Sequence, residues 1–392
     1  MQKKQAKCNK FKQNTLNDSN KLIESNSNTG LNESQINALR KEIDIIDSQL
    51  ITLLHERLKF VKQIGHLKVQ SNANIYRPDR EKSIIAKLLQ YAKQHNLHHL
   101  NKASIEAIFY EIFAIARDIE MPQKIAFLGP VGSFCHQAAE TRFGPLSSYL
   151  PLSTISAVFE SLQEGNAKYG VIPLENNTNG MVGESIDNLA KYPFTIINEI
   201  ILTVHHSFAT QANDLKDIDK IYSKDIAFGQ CRDFLNHYDL QDIEQISVSS
   251  TAHAARLASL DSKSAAICSN IAATLYKLPI MFHRIQTSLS NQTRFVIISD
   301  FFNPRGSNDK TSIFVSIKDY EKAGALFELL RDFKEEDINI TKIDSRPIHD
   351  DRGFRSGFYM DFHGHREDVN VKRIFAKREG EIKWLGSYPM FS

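Results

Sequence analysis

Apolar residues recur at positions 36, 39, 43, 46, 50, 53, 60, 64 and 67, in steps of three and four that put them on one stripe of a long helix. The stripe ends at Tyr76-Arg77-Pro78, because proline cannot continue a helix and restricts the residue before it. A second helix is predicted over 79–94 and a third over 103–120, with Pro122 closing an all-helical unit. At Lys124-Ile125-Ala126-Phe127-Leu128 the pattern changes to a short apolar strand, followed by the turn Gly129-Pro130-Val131-Gly132-Ser133 and a helix. Further strands are predicted at 169–174, 195–204, 220–222, 265–268 and 294–299, with helices between several of them, so this part is α/β. After the polar stretch 303–310, the order strand, helix, strand, strand, helix, strand up to Leu385 predicts a small α+β domain of βαββαβ type.

The chain is therefore multi-domain: a polar tail over 1–32, a helical domain over 33–122, an α/β domain over 123–302 and a C-terminal domain over 303–392. A length of 392 residues suits several cores better than one. The tail is rich in Lys, Asn, Ser and Gln and is expected to be disordered; its lack of arginine argues against a transit peptide.

Composition narrows the function classes. With 42% apolar and 24% charged residues the chain is globular, and a net charge of +2 gives no reason to expect nucleic acid as a partner. No apolar run approaches the roughly 18 residues needed to span a bilayer, so no membrane is expected. The cysteines Cys8, Cys135, Cys231 and Cys268 lie far apart, with no CxxC pair, which fits a reducing cytoplasm. The histidine pairs His98-His99, His205-His206 and His363 with His365 come without a local third ligand, and adjacent residues of a strand point to opposite faces. No metal is expected, and these histidines are read as surface or core residues.

Charges on the helical stripe carry the first chemical signal. Arg57 stands where the heptad of Ile36, Ile43, Leu50 and Ile64 calls for an apolar residue, and Lys68 follows eleven residues later, close to three full turns. Those two cations share a seam about 16 Å long, whereas Arg40 is about 25 Å from Arg57 along the same axis, too far to reach one small ligand in the same chain. Glu81, beside Arg80, falls on the apolar line of the second helix, and Glu120 on that of the third. A lone buried arginine more often snorkels or pairs with a carboxylate, but a second cation on the same face favours a small dicarboxylate ligand.

These residues, within Leu39-Arg40-Lys41-Glu42-Ile43-Asp44, Leu53-Leu54-His55-Glu56-Arg57, Ile64-Gly65-His66-Leu67-Lys68 and Tyr76-Arg77-Pro78-Asp79-Arg80-Glu81, resemble the helical chorismate mutase domain of bifunctional chorismate mutase/prephenate dehydratase enzymes. Chorismate rearranges to prephenate by a pericyclic reaction that needs no proton transfer, nucleophile or cofactor; positioning and electrostatics suffice. The resemblance implies that Arg57 and the partner subunit's Arg40 clamp the two carboxylates, that Lys68 faces the ether oxygen, that Arg80 and Glu81 contact substrate, and that Glu120 stands where many relatives have glutamine. Glutamate donates a hydrogen bond only when protonated. Ala116 and Arg77 replace a serine and an aspartate of some relatives.

A second set of segments resembles the prephenate dehydratase domain of the same enzymes, a two-lobed α/β fold of periplasmic-binding-protein type. They are Ile172-Pro173-Leu174-Glu175-Asn176-Asn177-Thr178-Asn179-Gly180, Ser223 with Gln230-Cys231, Ser249-Ser250-Thr251-Ala252 and Asn291-Gln292-Thr293-Arg294-Phe295. By that resemblance Thr293 is the donor that helps the ring hydroxyl of prephenate leave, and Asn176, Ser223 and Gln230 line the cleft. Arg294 is either a carboxylate anchor or a structural ion pair. The glycines at 129–133 match no nucleotide motif and are read as a turn.

The C-terminal segments Ala323-Gly324-Ala325-Leu326 and Lys342-Ile343-Asp344-Ser345-Arg346-Pro347 resemble an ACT regulatory domain, which implies feedback inhibition by L-phenylalanine. Gly324, Ala325 and Leu326 would offer helix N-terminal donors to its carboxylate. Ala323 and Asp344 replace the usual proline and glutamate. The enzyme so implied is a homodimer or higher even oligomer. Two other readings compete: a binding protein that only senses small acids, and a dehydratase whose helical unit serves only to dimerise.

Overall fold

A computed structural model describes residues 29–71, 75–178, 180–288, 290–318, 321–350 and 353–390. Asn179 and residues 1–28 of the expected tail lie outside these.

Two units divide the chain, residues 1–64 and 65–392. Helix α1, Thr29–Ser71, runs 43 residues. In the first unit its stripe residues Ile36, Leu39, Ile43, Ile46, Leu50, Leu53 and Phe60 are exposed in the single chain. An amphipathic stripe of this length is a face that folding of one chain leaves unburied.

The second unit begins with the end of that helix and continues into α2, Pro78–Gln94, and α3, Lys102–Glu120. Proline opens α2 where its missing N–H costs nothing, and the Asn101 side chain caps α3 by accepting from Ser104 N–H. Ile85, Ala92, Ile105 and Phe113 form the small core between them.

The first lobe is a mixed sheet in the order β2-β1-β3-β11-β5, with β4 attached to β3. Its strands are β1 Lys124–Leu128, β2 Ser148–Leu152, β3 Tyr169–Asn176, β4 Gly180–Met181, β5 Thr195–Thr203 and β11 Gln292–Ser299. Alternation along them feeds two cores: Ile125, Phe127, Tyr169 and Val171 pack on helix α4, Phe134–Phe143, while Ala126, Ile172 and Leu174 pack on α5, Ile155–Gln163, and α6, Gly183–Lys191. A sheet covered on both faces explains why these strands are almost continuously apolar.

The chain leaves this lobe after β5 and returns at β11. Between them lies a second sheet, β10-β6-β9-β7-β8, built from β6 Ser207–Thr210, β7 Lys220–Ser223, β8 Glu244–Ser247, β9 Ser264–Cys268 and β10 Ile280–Phe282. Helices α7 Asp225–Gln230, α8 Arg232–His237, α9 Thr251–Ala258 and α10 Asn270–Leu275 cover it. Strands β2, β4, β6, β8 and β10 were not among those expected from the sequence.

The C-terminal part has the expected order: β12 Asp309–Val315, α11 Ala325–Glu335, β13 Ile340–Asp350, β14 Gly353–His363, α12 Val369–Lys377 and β15 Ile382–Pro389, in an antiparallel sheet β13-β14-β12-β15. It has a core of its own around Leu329, Phe333, Met360 and Phe362, yet Tyr359, Leu385 and Tyr388 complete the core of the first lobe.

Candidate active sites

Thr293 lies on β11 directly across from Asn176 on β3. The Asn176 Nδ2 amide donates to Thr293 Oγ1 at 2.9 Å and to Asn291 Oδ1 at 2.9 Å. A hydroxyl oxygen that accepts in this way keeps its own hydrogen for donation. Both residues line a cleft of about 1020 Å³ between the two lobes, together with Gln230, His206, Lys224 and Ser133.

Groups able to hold an anion border the cleft. Ser133 caps α4 and Ser250 caps α9, each accepting from the backbone N–H three residues on, and both border the cleft. Two helix N-termini and the Lys224 ammonium suit a substrate with two carboxylates. Gly132 lets the turn before α4 form: its φ of +85° is left-handed, and a side chain there would press on Ala252 and Ala272. The His136 Nδ1 atom accepts from Gly132 N–H at 3.3 Å, so the 129–133 segment is the expected turn, and it also forms one wall of the cleft.

Two sequence expectations are corrected here. Ser223 is fully buried and its hydroxyl donates to the Ile267 carbonyl at 2.8 Å; it holds β7 to the strand beside it and does not line the cleft. Arg294 neighbours Thr293 on a strand and therefore points to the other face. There it bonds Asp361 Oδ2 at 2.5 Å, Glu199 Oε2 at 2.8 Å and Tyr388 Oη at 2.7 Å, so it is the structural ion pair and not the carboxylate anchor. The histidines at 205 and 206 also differ from expectation: they lie in the loop between β5 and β6 and engage different partners, Gln286 and Gln230. His365 is buried against the Asn303 carbonyl at 3.2 Å, as a core residue. Among the described residues, no group of three or more His, Cys, Asp or Glu is placed to hold a metal.

The helical part brings Lys68 and Glu120 together at 2.5 Å, both partly buried. Gly65 makes that approach possible, because a Cβ there would meet the Glu120 backbone at 2.8 Å. Glu81 does not join them. It pairs with Arg117, a residue the sequence reading missed, and Arg117 also donates to the Arg142 carbonyl and lies 5.2 Å from the centre of the Tyr76 ring. In this chain Glu81 therefore tethers α2 to α3, and it is not free to meet a substrate hydroxyl. Arg80 is exposed, Arg57 is partly buried, and Arg40 is exposed with a hydrogen bond to Asn37 one turn away.

In the C-terminal part, Gly324 takes a left-handed φ of +85° as the cap of α11, with Ala325 and Leu326 in its first turn. Asp344, Ser345, Arg346 and Pro347 lie on β13. That strand reaches the first lobe: Lys342 Nζ meets Glu175 Oε1 at 2.5 Å and Arg346 Nη2 meets Asp187 Oδ2 at 3.3 Å.

A two-lobed α/β domain whose cleft carries Thr293, Asn176 and Gln230, following a helical segment in the chain, is the class these features define. Residues 125–301 match the family model for prephenate dehydratase, and residues 39–121 that for chorismate mutase type II. A bifunctional chorismate mutase/prephenate dehydratase of Aquifex aeolicus is 36% identical over 359 residues, covering 91% of this chain and 98% of that one. The enzyme of the same description from Pseudomonas aeruginosa is 35% identical over 372 residues, with coverage of 91% and 98%. Among solved structures, the prephenate dehydratase of Arthrobacter aurescens in complex with L-Phe is 28% identical with a TM-score of 0.62, covering 68% of this chain and 90% of that one.

The chain belongs to the bifunctional chorismate mutase/prephenate dehydratase family. It is an isomerase and a lyase of phenylalanine biosynthesis, rearranging chorismate to prephenate and converting prephenate to phenylpyruvate. The readings as a pure binding protein and as a dehydratase with a merely dimerising helical unit are set aside by these matches.

Proposed function

We propose that Thr293 is the proton donor of the dehydratase step. As prephenate loses its ring carboxylate as carbon dioxide, the electron pair enters the ring, the carbon–hydroxyl bond breaks, and hydroxide must gain a proton to leave as water. The hydrogen bond from Asn176 to Thr293 Oγ1 carries this reading, because it orients the hydroxyl and leaves its hydrogen to donate. Asn176 and Gln230 supply further polar contacts, and the helix N-termini at Ser133 and Ser250 with Lys224 receive the carboxylates.

The mutase site in this reading is shared by two copies in a homodimer or higher even oligomer. A partner helix lying along the exposed stripe of α1 would bury it and bring the partner subunit's Arg40 to Arg57. Glu120 faces the ether oxygen beside Lys68 in this reading, and Glu81 supports the site from outside through its pair with Arg117.

The C-terminal domain, 303–392, is read as an ACT domain that binds phenylalanine through Gly324, Ala325, Leu326 and the Asp344–Pro347 segment. Support comes from the L-Phe complex of the Arthrobacter aurescens relative and from the Lys342–Glu175 contact, one residue from Asn176. The buried free thiols Cys135, Cys231 and Cys268 suit the reducing cytoplasm assigned to it. No cofactor enters either reaction. Assaying both reactions on the purified protein, with and without millimolar phenylalanine, tests the whole: both activities are expected, with the dehydratase inhibited. An unchanged dehydratase rate would remove the regulatory part.

A further inference from the structure

Gln230 closes α7, and His206 stands in the loop by which the chain enters the second lobe. Their side chains meet at the cleft, with His206 Nε2 2.8 Å from Gln230 Oε1. His206 is 2% exposed, and its other ring nitrogen, Nδ1, is buried without a hydrogen-bond partner among the described residues. Its position is held from several sides: His206 N–H donates to Gln286 Oε1 at 3.0 Å, its carbonyl accepts from Ile285 at 2.9 Å, and the Phe134 ring packs edge-on at 5.6 Å.

The protonation of the ring follows from what surrounds it. A buried N–H without an acceptor is rare and costly, whereas a bare acceptor nitrogen is tolerated more easily. Nδ1 therefore carries the lone pair, and the ring hydrogen sits on Nε2. Burial also lowers the pKa of His206, which keeps the ring neutral. With Nε2 as the donor, the atom of Gln230 facing it must be the amide oxygen, and the amide NH2 is left as the group to present elsewhere.

We propose that His206 is a positioning residue of the dehydratase: by donating from Nε2 to Gln230 Oε1 it fixes the Gln230 amide so that its NH2 donates to an oxygen of bound prephenate. This rests on the reading of Gln230 as a substrate contact. Without the histidine, the amide is free to turn its oxygen toward a substrate that carries two carboxylates, and repulsion replaces a hydrogen bond.

The test compares four variants, His206→Phe, His206→Gln, Gln230→Ala and the double variant His206→Phe/Gln230→Ala, by dehydratase kinetics on prephenate with the full chain. His206→Phe keeps the ring shape without the donor and is expected to lower kcat/KM about tenfold, mainly through KM, as loss of one orienting hydrogen bond does. His206→Gln restores a donor and should recover most of that loss, and the double variant should be no worse than Gln230→Ala alone. If Gln230→Ala is impaired while His206→Phe is not, or if the two losses multiply, the positioning role is overturned and the reading of Gln230 stands. Wild-type activity in Gln230→Ala overturns both. Imidazole nitrogen shifts of the unmutated protein give an answer independent of folding: an unprotonated Nδ1 is expected, and a protonated Nδ1 contradicts the proposal.

Discussion

Arg294 Nη1 and Asp361 Oδ2 meet at 2.5 Å, joining the strand that carries Thr293 to the central strands of the C-terminal sheet. The contact is one edge of a buried network in which Glu199 bonds both Arg294 and Lys310, and Asp361 accepts from Ser312 and Tyr359. Burial raises the Asp361 pKa, but the Arg294 charge and these hydrogen bonds outweigh it and hold the carboxyl below its ordinary range. Breaking a buried pair by removing one partner leaves the other charge uncompensated. Arg294→Met should therefore cost about 3–5 kcal/mol in denaturant unfolding. A loss below about 1 kcal/mol would show that Arg294 is not the hub described.

Neighbouring residues show what the sequence could and could not yield. Long periodic signals were legible: the α1 stripe, the buried strands β3, β5 and β11, and the C-terminal βαββαβ order all come from apolar patterning over many residues. Strands such as β8, Glu244–Ser247, are short, polar and at a sheet edge, and leave no such trace. At the site, motif resemblance reached Thr293, Asn176 and Gln230 but could not say which way each side chain points. For Arg294 the sequence left anchor and ion pair open, because a shift of one residue on a strand changes the face. Ser223 failed because a hydroxyl satisfies a buried carbonyl as readily as a ligand. Arg117 and His206 act through partners 36 and 24 residues away in sequence, a relation no local pattern encodes.

If the mutase site is shared between chains, as proposed, complementation follows. Arg40→Ala and Arg57→Ala chains should each lack mutase activity, and mixed dimers should regain one intact site out of two. No recovery after subunit exchange would argue for a site within one subunit.

Glutamine in place of Glu120 would give the ether oxygen an amide donor and remove the carboxylate that pairs with Lys68. Glu120→Gln should therefore raise mutase kcat/KM, measured with chorismate on the full chain. An unchanged or lower value would argue against Glu120 facing the ether oxygen.

Buried histidines should make stability fall on mild acidification. Burial lowers the pKa of His136 and His206, so below the unfolded value near 6.5 the unfolded chain binds more protons than the folded one. Their contribution is full above about pH 6.5 and declines as pH drops below it. Protonating His136 Nδ1 also sets a donor against Gly132 N–H in the wall of the cleft. Thermal melts between about pH 7.5 and 5.5 should show a falling midpoint, with a smaller fall in His136→Gln. An equal fall in the variant would place the effect elsewhere.

The central claim is that one chain carries two separate sites, with Thr293 the donor in one and Arg57 a clamp in the other. Measuring both reactions on Thr293→Ala and Arg57→Ala tests it most directly. Thr293→Ala should lose about a hundredfold or more of dehydratase kcat while keeping mutase activity, and Arg57→Ala should do the reverse. Dehydratase activity intact in Thr293→Ala, or mutase activity intact in Arg57→Ala, would contradict the account.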